Sequence, residues 1–297
     1  MSTALELEYA RPEFLAEPDW VWEHRDDPGV RLVDCGSADA YDRAHIPMAV
    51  ALPVDGWLKE PERGAHVIGA EAFAELMARL GVSDDTTVVA YDDFNTTYAT
   101  RLWWVLNYYG HTAVKVLNGG LHRWISEERS MNFHETTPEP GRFTARANEN
   151  IMCRLNYLKG RYDDPDVQVL NVLAASYYRG EANPFGNKRV GHIPGSVNIP
   201  IEEFLTDDDR GVFKPARELR ATLDKAGLSP DKETVVHCQA GIRTTLGFFV
   251  LALLGWDRIR AYDAAMAEWA NQDDTPLVLA GGVVTAEAPA PNGLQSH

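Results

Sequence analysis

The sequence predicts an α/β fold used twice: two tandem domains, each a mainly parallel sheet flanked by helices on both faces. Three observations carry that prediction. Short β-branched runs alternate with amphipathic stretches in each half, the pattern of parallel strands covered on both sides. The order of elements recurs: His45-Ile46-Pro47 returns as His192-Ile193-Pro194, 147 positions on, and Gly110 and Trp124 return as Gly255 and Trp269, 145 positions on. Between the copies, residues 132–150 carry Pro138, Pro140 and Gly141 without periodicity and read as a linker.

The first half is assigned residues 14–131. It begins with a strand at Val30–Val33, followed by a turn, the His-Ile-Pro segment and another short strand. GAEAFAELMARLGV then has apolar residues at i, i+3 and i+4 and a glycine stop, which marks a helix. The Val88-Val89 strand comes next, then the apolar helix RLWWVLNYYG, with Trp103 and Trp104 expected to line part of the interface between halves, and a strand at Val114–Leu117. The second half, residues 151–285, repeats this series: a strand at Val167–Val172, the second His-Ile-Pro, the helix PARELRATLDKAGL, the Val235-Val236 strand, a long apolar helix and a strand at Ile259–Tyr262. Residues 286–297 read as a tail. The two valine pairs are 147 apart while the helix ends after them are 145 apart, so two residues are gained or lost between them.

Composition narrows the function classes. At roughly 150 residues per domain, 297 residues suit two domains with their own cores. Hydrophobic residues make up 45% and charged residues 24%, ordinary globular usage. A formal charge of −16 disfavours nucleic acid and anionic membrane as partners, and an anionic substrate needs a local basic pocket. The longest apolar stretch, Leu246–Trp256, is too short to span a bilayer, and MSTALELEYARPEF has no apolar leader core; the expected location is the cytoplasm. Cys35, Cys153 and Cys238 show no CxxC spacing, so neither a disulfide framework nor a zinc site is expected. Cys35 reads as a packed thiol, and Asp92-Asp93 as a solvated pair on a turn rather than as metal ligands.

Cys238 lies in TVVHCQAGIRTTLGFFVLALLGW, residues 234–256. A strand, a turn and a helix in succession put it at the carboxyl end of a parallel strand, the edge where open α/β sheets bind ligands. Gln239, Ala240, Gly241, Ile242, Arg243 and Thr244 follow. Gly241 permits a positive φ, so successive amides and the helix N-terminus can turn toward the sulfur. Such a nest favours an anion and makes a thiol nucleophilic. An isolated cysteine is more often a small packed hydrophobe; the glycine-bearing loop and Arg243 weigh against that here. His237 alternates away from the loop into a hydrogen-bonded core position, and His192 braces the His-Ile-Pro turn.

Taken together, these segments resemble the tandem-domain rhodanese family, the thiosulfate and 3-mercaptopyruvate sulfurtransferases. VLNGGLHRW, HIPGSVN, HCQAGIRT and YDAAMAEW occur in the family's order, and the resemblance runs from about Phe14 to Asn271. It implies a catalytic second half and a first half that lacks the cysteine, with Tyr91-Asp92-Asp93 in its place. It further implies that Cys238 accepts a sulfane sulfur as a persulfide and passes it to cyanide, a thiol or a reduced thioredoxin-like protein, with no metal or organic cofactor. Residues 239–244 would cradle that sulfur, and Arg243 and Arg179 of YYRGE would orient the donor. Cys238 to Arg243 is a C-x4-R loop, one residue shorter than the C-x5-R loop of the related phosphatases, which favours sulfur transfer over arsenate or phosphate-ester chemistry.

On the donor, planar guanidinium groups match the sulfonate oxygens of thiosulfate. Mercaptopyruvate-specific members carry Gly and Ser after the cysteine, where this chain has Gln239 and Ala240. Asp55 and His66 match the partners of that serine, but an alanine cannot complete the relay. Thiosulfate is therefore expected ahead of 3-mercaptopyruvate. Lys188 and Arg189 read as surface charges. Asn171-Val172-Leu173 and Asp263-Ala264-Ala265 depart from the family's Asp-Ala-Arg and Asp-Gly-Ser, and these departures motivate a rival reading: a non-catalytic or sulfur-carrier module loaded by a partner protein.

Overall fold

A computed structural model describes residues 7–52, 58–60, 66–208 and 211–279. It contains two five-stranded sheets, one from each half, and every strand pairing in them is parallel. The first consists of β1 (Leu15–Ala16), β2 (Val30–Asp34), β3 (Val50–Ala51), β4 (Thr87–Tyr91) and β5 (Val114–Leu117), in the order β1-β5-β4-β2-β3. The second repeats this with β6 (Met152–Cys153), β7 (Val167–Asn171), β8 (Val197–Asn198), β9 (Glu233–His237) and β10 (Ile259–Tyr262), in the order β6-β10-β9-β7-β8. The edge strands β1 and β6 have no counterpart in the sequence reading, because two residues are too few to display a period.

Register alters the internal alignment. β2 pairs with β4 as Val30 to Thr87, and β7 pairs with β9 as Val167 to Glu233. The equivalent strands thus begin 146 positions apart, at Thr87 and Glu233, while the helices after them begin 145 apart, at Thr97 and Ile242. The first-half loop is longer by one residue, not two. The repeated Val-Val pair misleads because adjacent valines in a buried strand are interchangeable by one step. In the corrected alignment Asp92 stands where the second half has Cys238.

Helices Thr97–Tyr108 and Ile242–Leu253 pack against each other across the interface between halves. In Ile242–Leu253 every residue except Arg243 is buried, as expected of a helix that is apolar all round. Trp103 meets Phe14 edge-on at 5.1 Å and Phe249 edge-on at 4.9 Å, and the second contact ties the first half to the second. Trp104 stacks on Tyr108 within its own helix. Main-chain bonds cross as well: Arg11 N–H donates to Leu253 O at 3.1 Å, and Thr96 Oγ1 to Gly211 O at 3.0 Å.

Residues 132–148 form no helix or extended strand, yet they are fastened to the first half. Gly141, Arg146 and Asn148 donate main-chain bonds to Ala78, Tyr109 and Tyr108, and Asn132 exchanges a pair with His45. Among the described residues no helix is long and apolar enough to cross a membrane. The proposed tail, residues 286–297, and the last part of the second half, from residue 280, lie outside the described residues.

Candidate active site

Strand β9 is buried along its whole length and delivers Cys238 at its carboxyl end. The chain then turns through Gly241, with φ of +85°, into the helix that begins at Ile242. A side chain at that position would be strained in this left-handed region, and a Cβ would meet both Asp263 O and Asp263 Oδ1 at 2.4 Å. Two amides from the segment after β10 hold the loop's other edge: Met266 N–H donates to Cys238 O at 3.2 Å and Ala267 N–H to Gln239 O at 2.7 Å. The first amides of the helix have no partner within it, the ordinary condition of a helix N-terminus.

Cys238, Gln239, Ala240, Ile242 and Arg243 line one pocket of about 560 Å³. Its other walls come from both halves: Phe94, Thr97 and Tyr98 from the first, and Leu173, Tyr177, Pro184 and Phe185 from the second. Phe94 stacks on Tyr98 and Phe185 meets Tyr177 edge-on, so each half contributes an aromatic pair to the lining. Gln239 is locked by a reciprocal amide pair with Asn187, at 2.9 and 3.0 Å. Arg243 is one-third exposed, with Glu202 3.8 Å away.

Three predicted residues fall outside that lining: Gly241, which forms the turn, Thr244 and Arg179. Thr244 is fully buried on the first helical turn, its hydroxyl without a hydrogen-bond partner. Arg179 is exposed and grips Glu181 with two bonds, of 2.6 and 2.7 Å. Arg189, read from sequence as a surface charge, is buried and bonds to Trp269 O and Thr275 O; it closes the C-terminal turn. Asp55 lies outside the described residues. His66 helps form a short antiparallel ladder, with Glu60 N–H donating to His66 O at 2.9 Å.

His237 is buried opposite the loop; burial pulls its imidazole down to about 4, so it is neutral at physiological pH. His192 Nδ1 bonds to Tyr178 O and its ring stacks on that tyrosine, as His45 does with Tyr41 in the first half. Burial pushes the Cys35 and Cys153 thiols up, which disfavours their thiolates.

The first-half loop corrects one expectation. Asp92 is not solvated: it is 1% exposed, and its carboxyl accepts from Phe94 N–H, Thr96 N–H and Ala99 N–H at 2.7, 2.9 and 2.7 Å. Burial pushes this carboxyl up while those amides oppose the shift. A strand-turn-helix frame of this fold thus aims its amides at an acceptor on the residue that follows the strand. Among the described residues no group of three His, Cys, Asp or Glu side chains could hold a metal ion.

Sequence reading missed Lys59 and Arg101. Lys59 Nζ lies 2.8 Å from Asp263 Oδ1 and Arg101 Nη1 lies 2.7 Å from the same oxygen, with all three side chains buried. Nothing in the sequence links Lys59, on an aperiodic loop, to Asp263 more than two hundred residues later. An arginine inside the apolar helix RLWWVLNYYG was the available signal, since such a charge is rarely buried unpaired.

Comparison with known proteins bears on this geometry. A family model described as Rhodanese-like domain matches twice, at residues 17–127 and 155–272. The sulfur carrier protein TtuD of Thermus thermophilus is 36% identical over 287 residues, covering 91% of this chain and 98% of that one. A thiosulfate sulfurtransferase of Corynebacterium glutamicum is 34% identical, covering 91% and 92%. Among solved structures, the 3-mercaptopyruvate enzyme SseA of Escherichia coli aligns with a TM-score of 0.77 at 28% identity, covering 85% of this chain and 98% of that one.

Proposed function

This chain belongs to the rhodanese family of sulfurtransferases, and on that premise we propose that it moves a sulfane sulfur from thiosulfate, ahead of 3-mercaptopyruvate, through a persulfide on Cys238. The thiolate attacks the outer sulfur of the donor; the bond between the two donor sulfurs breaks and its electron pair leaves with sulfite. Cys238 then carries the terminal sulfur as an anion. Cyanide, or a thiol such as that of a reduced thioredoxin-like protein, attacks that sulfur and regenerates the thiolate. This is covalent catalysis in two half-reactions, with ping-pong kinetics.

The observation that carries the reading is the position of Cys238: in the lining of the shared pocket, at a strand's carboxyl end, in a loop whose first-half counterpart turns three amides onto Asp92. Arg243 at the pocket wall is the cation nearest in sequence for the donor's sulfonate. Arg179 can join it only by leaving Glu181. Ala240 offers no hydroxyl to activate a carbonyl-bearing donor, and this supports thiosulfate.

Intact-protein mass after incubation with thiosulfate, and separately with 3-mercaptopyruvate, tests the reading. The expected result is a gain of one sulfur atom with thiosulfate, lost on adding cyanide and absent in Cys238→Ala. A second reading, a sulfur carrier charged by a partner protein, is favoured by the 36% identity to a protein of that name. It predicts no gain from either small donor and rapid loading by a desulfurase.

A further inference from the structure

Behind the thiol loop lies a buried charge cluster that the two half-reactions do not use. Asp263 follows β10, and its carboxylate lies against the loop backbone; a methyl group placed on Gly241 would come within 2.4 Å of Asp263 Oδ1 and 2.9 Å of Lys59 Nζ. Both cations that meet this carboxylate come from the first half. Arg101 projects from the helix Thr97–Tyr108. Lys59 is held by a two-rung ladder, in which Lys59 pairs with Val67 and Ile68 N–H donates to Leu58 O, and its ammonium also donates to Asp263 O at 3.0 Å.

Elementary electrostatics makes this arrangement consequential. A buried carboxylate beside a cysteine that must become anionic would oppose ionisation, because like charges in a low-dielectric site repel strongly. Here that carboxylate is met by two cations, and one of them, Lys59, stands against the loop at Gly241. Burial would push the Asp263 carboxyl up, yet Arg101 and Lys59 bring it below its ordinary range. Burial pulls Lys59 down to about 8, against the pull of Asp263 and of the Cys238 sulfur, which lies within electrostatic range of the ammonium.

We propose that the first half completes the electrostatics of the thiol: Lys59, set beside the loop by its bonds to Asp263, acts as a positioning residue for the anion on Cys238. The cysteine-free half thereby supplies charge to the reaction as well as a wall. This rests on Cys238 being the nucleophile. Among the described residues, the other charged or titratable groups of the pocket are Arg243, Tyr98 and Tyr177, with the neutral His237 on the cysteine's own strand, and Tyr109 stands within electrostatic range of Asp263, Arg101 and Glu60. None of these would change in the variants below.

The test is the pH dependence of Cys238 alkylation by iodoacetamide in the full chain, followed by mass, for wild type, Lys59→Gln, Lys59→Arg and Asp263→Asn. Removing an opposite charge at this range should raise the midpoint by about one pH unit or more in Lys59→Gln. Lys59→Arg should restore it, and Asp263→Asn should shift it downward. A purely structural role would move both neutralising variants the same way, and that result, or an unshifted midpoint in Lys59→Gln, overturns the proposal. If Lys59→Gln fails to fold, Asp263→Asn still decides: no downward shift there refutes the proposal. Alkylation needs only a reactive thiol, so its outcome is separable from the persulfide measurement with thiosulfate.

Discussion

The two halves fold the same frame around opposite contents. In the first, the residue after the central strand is Asp92, and its own carboxyl takes the three amides of the loop. In the second it is Cys238, and the loop is shorter by one residue, with a glycine at the helix start where the first half has Thr96 at φ of +61°. The main-chain clasp is conserved between them: Leu121 N–H to Asp92 O at 2.9 Å in one, Met266 N–H to Cys238 O at 3.2 Å in the other. One half satisfies its nest internally; under the proposed reaction the other keeps its amides for a substrate. A duplicated scaffold can thus lose a reaction by filling its anion site with a side chain.

Exchanging the contents gives the largest expected effect. Cys238→Ala should remove turnover, and adding Asp92→Cys in that background should not restore it, because the longer loop places its amides for a carboxyl. Sulfur loading followed by mass checks both. Recovery of loading in the double variant would mean that the two nests are equivalent after all.

Emptying the first nest should cost stability rather than chemistry. Asp92→Ala strands three amides, two of them buried, at roughly 1–3 kcal/mol for each buried unsatisfied group. A loss of about 3 kcal/mol in denaturant unfolding is expected, and Asp92→Asn, which keeps an acceptor oxygen, should lose less.

A matched pair of Asx turns sharpens the comparison further. Gly36 N–H donates to Asp34 Oδ1 at 2.8 Å, and Leu173 N–H donates to Asn171 Oδ1 at 2.8 Å. Burial pushes the Asp34 carboxyl up to about 6, while Asn171 carries no charge. A carboxyl whose folded value is raised binds its proton more tightly in the native state, so stability falls as pH rises from about 4 through about 6. Asp34→Asn should abolish that slope and leave the turn intact. Unfolding curves at pH 4, 5 and 7 compare the two proteins.

Smaller effects are expected at the edges of the site. Arg243→Ala should lower kcat/KM for thiosulfate by about tenfold, the worth of one charge-assisted hydrogen bond. Arg179→Ala should change it less, since Glu181 already holds that side chain. The smallest effect is at Ala265, which has φ of +51° where the first half has Gly120 at the same angle. Ala265→Gly relieves roughly 1–2 kcal/mol of left-handed strain against about 0.5–1 kcal/mol of extra chain entropy. A thermal midpoint raised by a degree or two, or unchanged, fits; a clear drop does not.

Much of this was legible in the sequence. Parallel α/β architecture, the duplication, the all-buried helix after Cys238 and the thiol's place at a strand end follow from local patterns, because periodicity and turn chemistry are properties of neighbouring residues. The loop lengths were misjudged by one residue, since only strand pairing fixes which valine faces which. Asp92 was misread as solvated because adjacent acids are usually exposed, and its burial depends on three amides that converge only after the turn has formed.

What the sequence by itself determined is therefore the frame and the position of Cys238 on it. Tertiary structure decided the electrostatics: which arginines bind solvent-facing carboxylates, which close turns, and which cations gather on Asp263. Lys59, Arg101 and Asp263 lie far apart along the chain and meet only when the halves dock. Charge acts through space, and no local pattern encodes a distance between segments that are joined solely by packing.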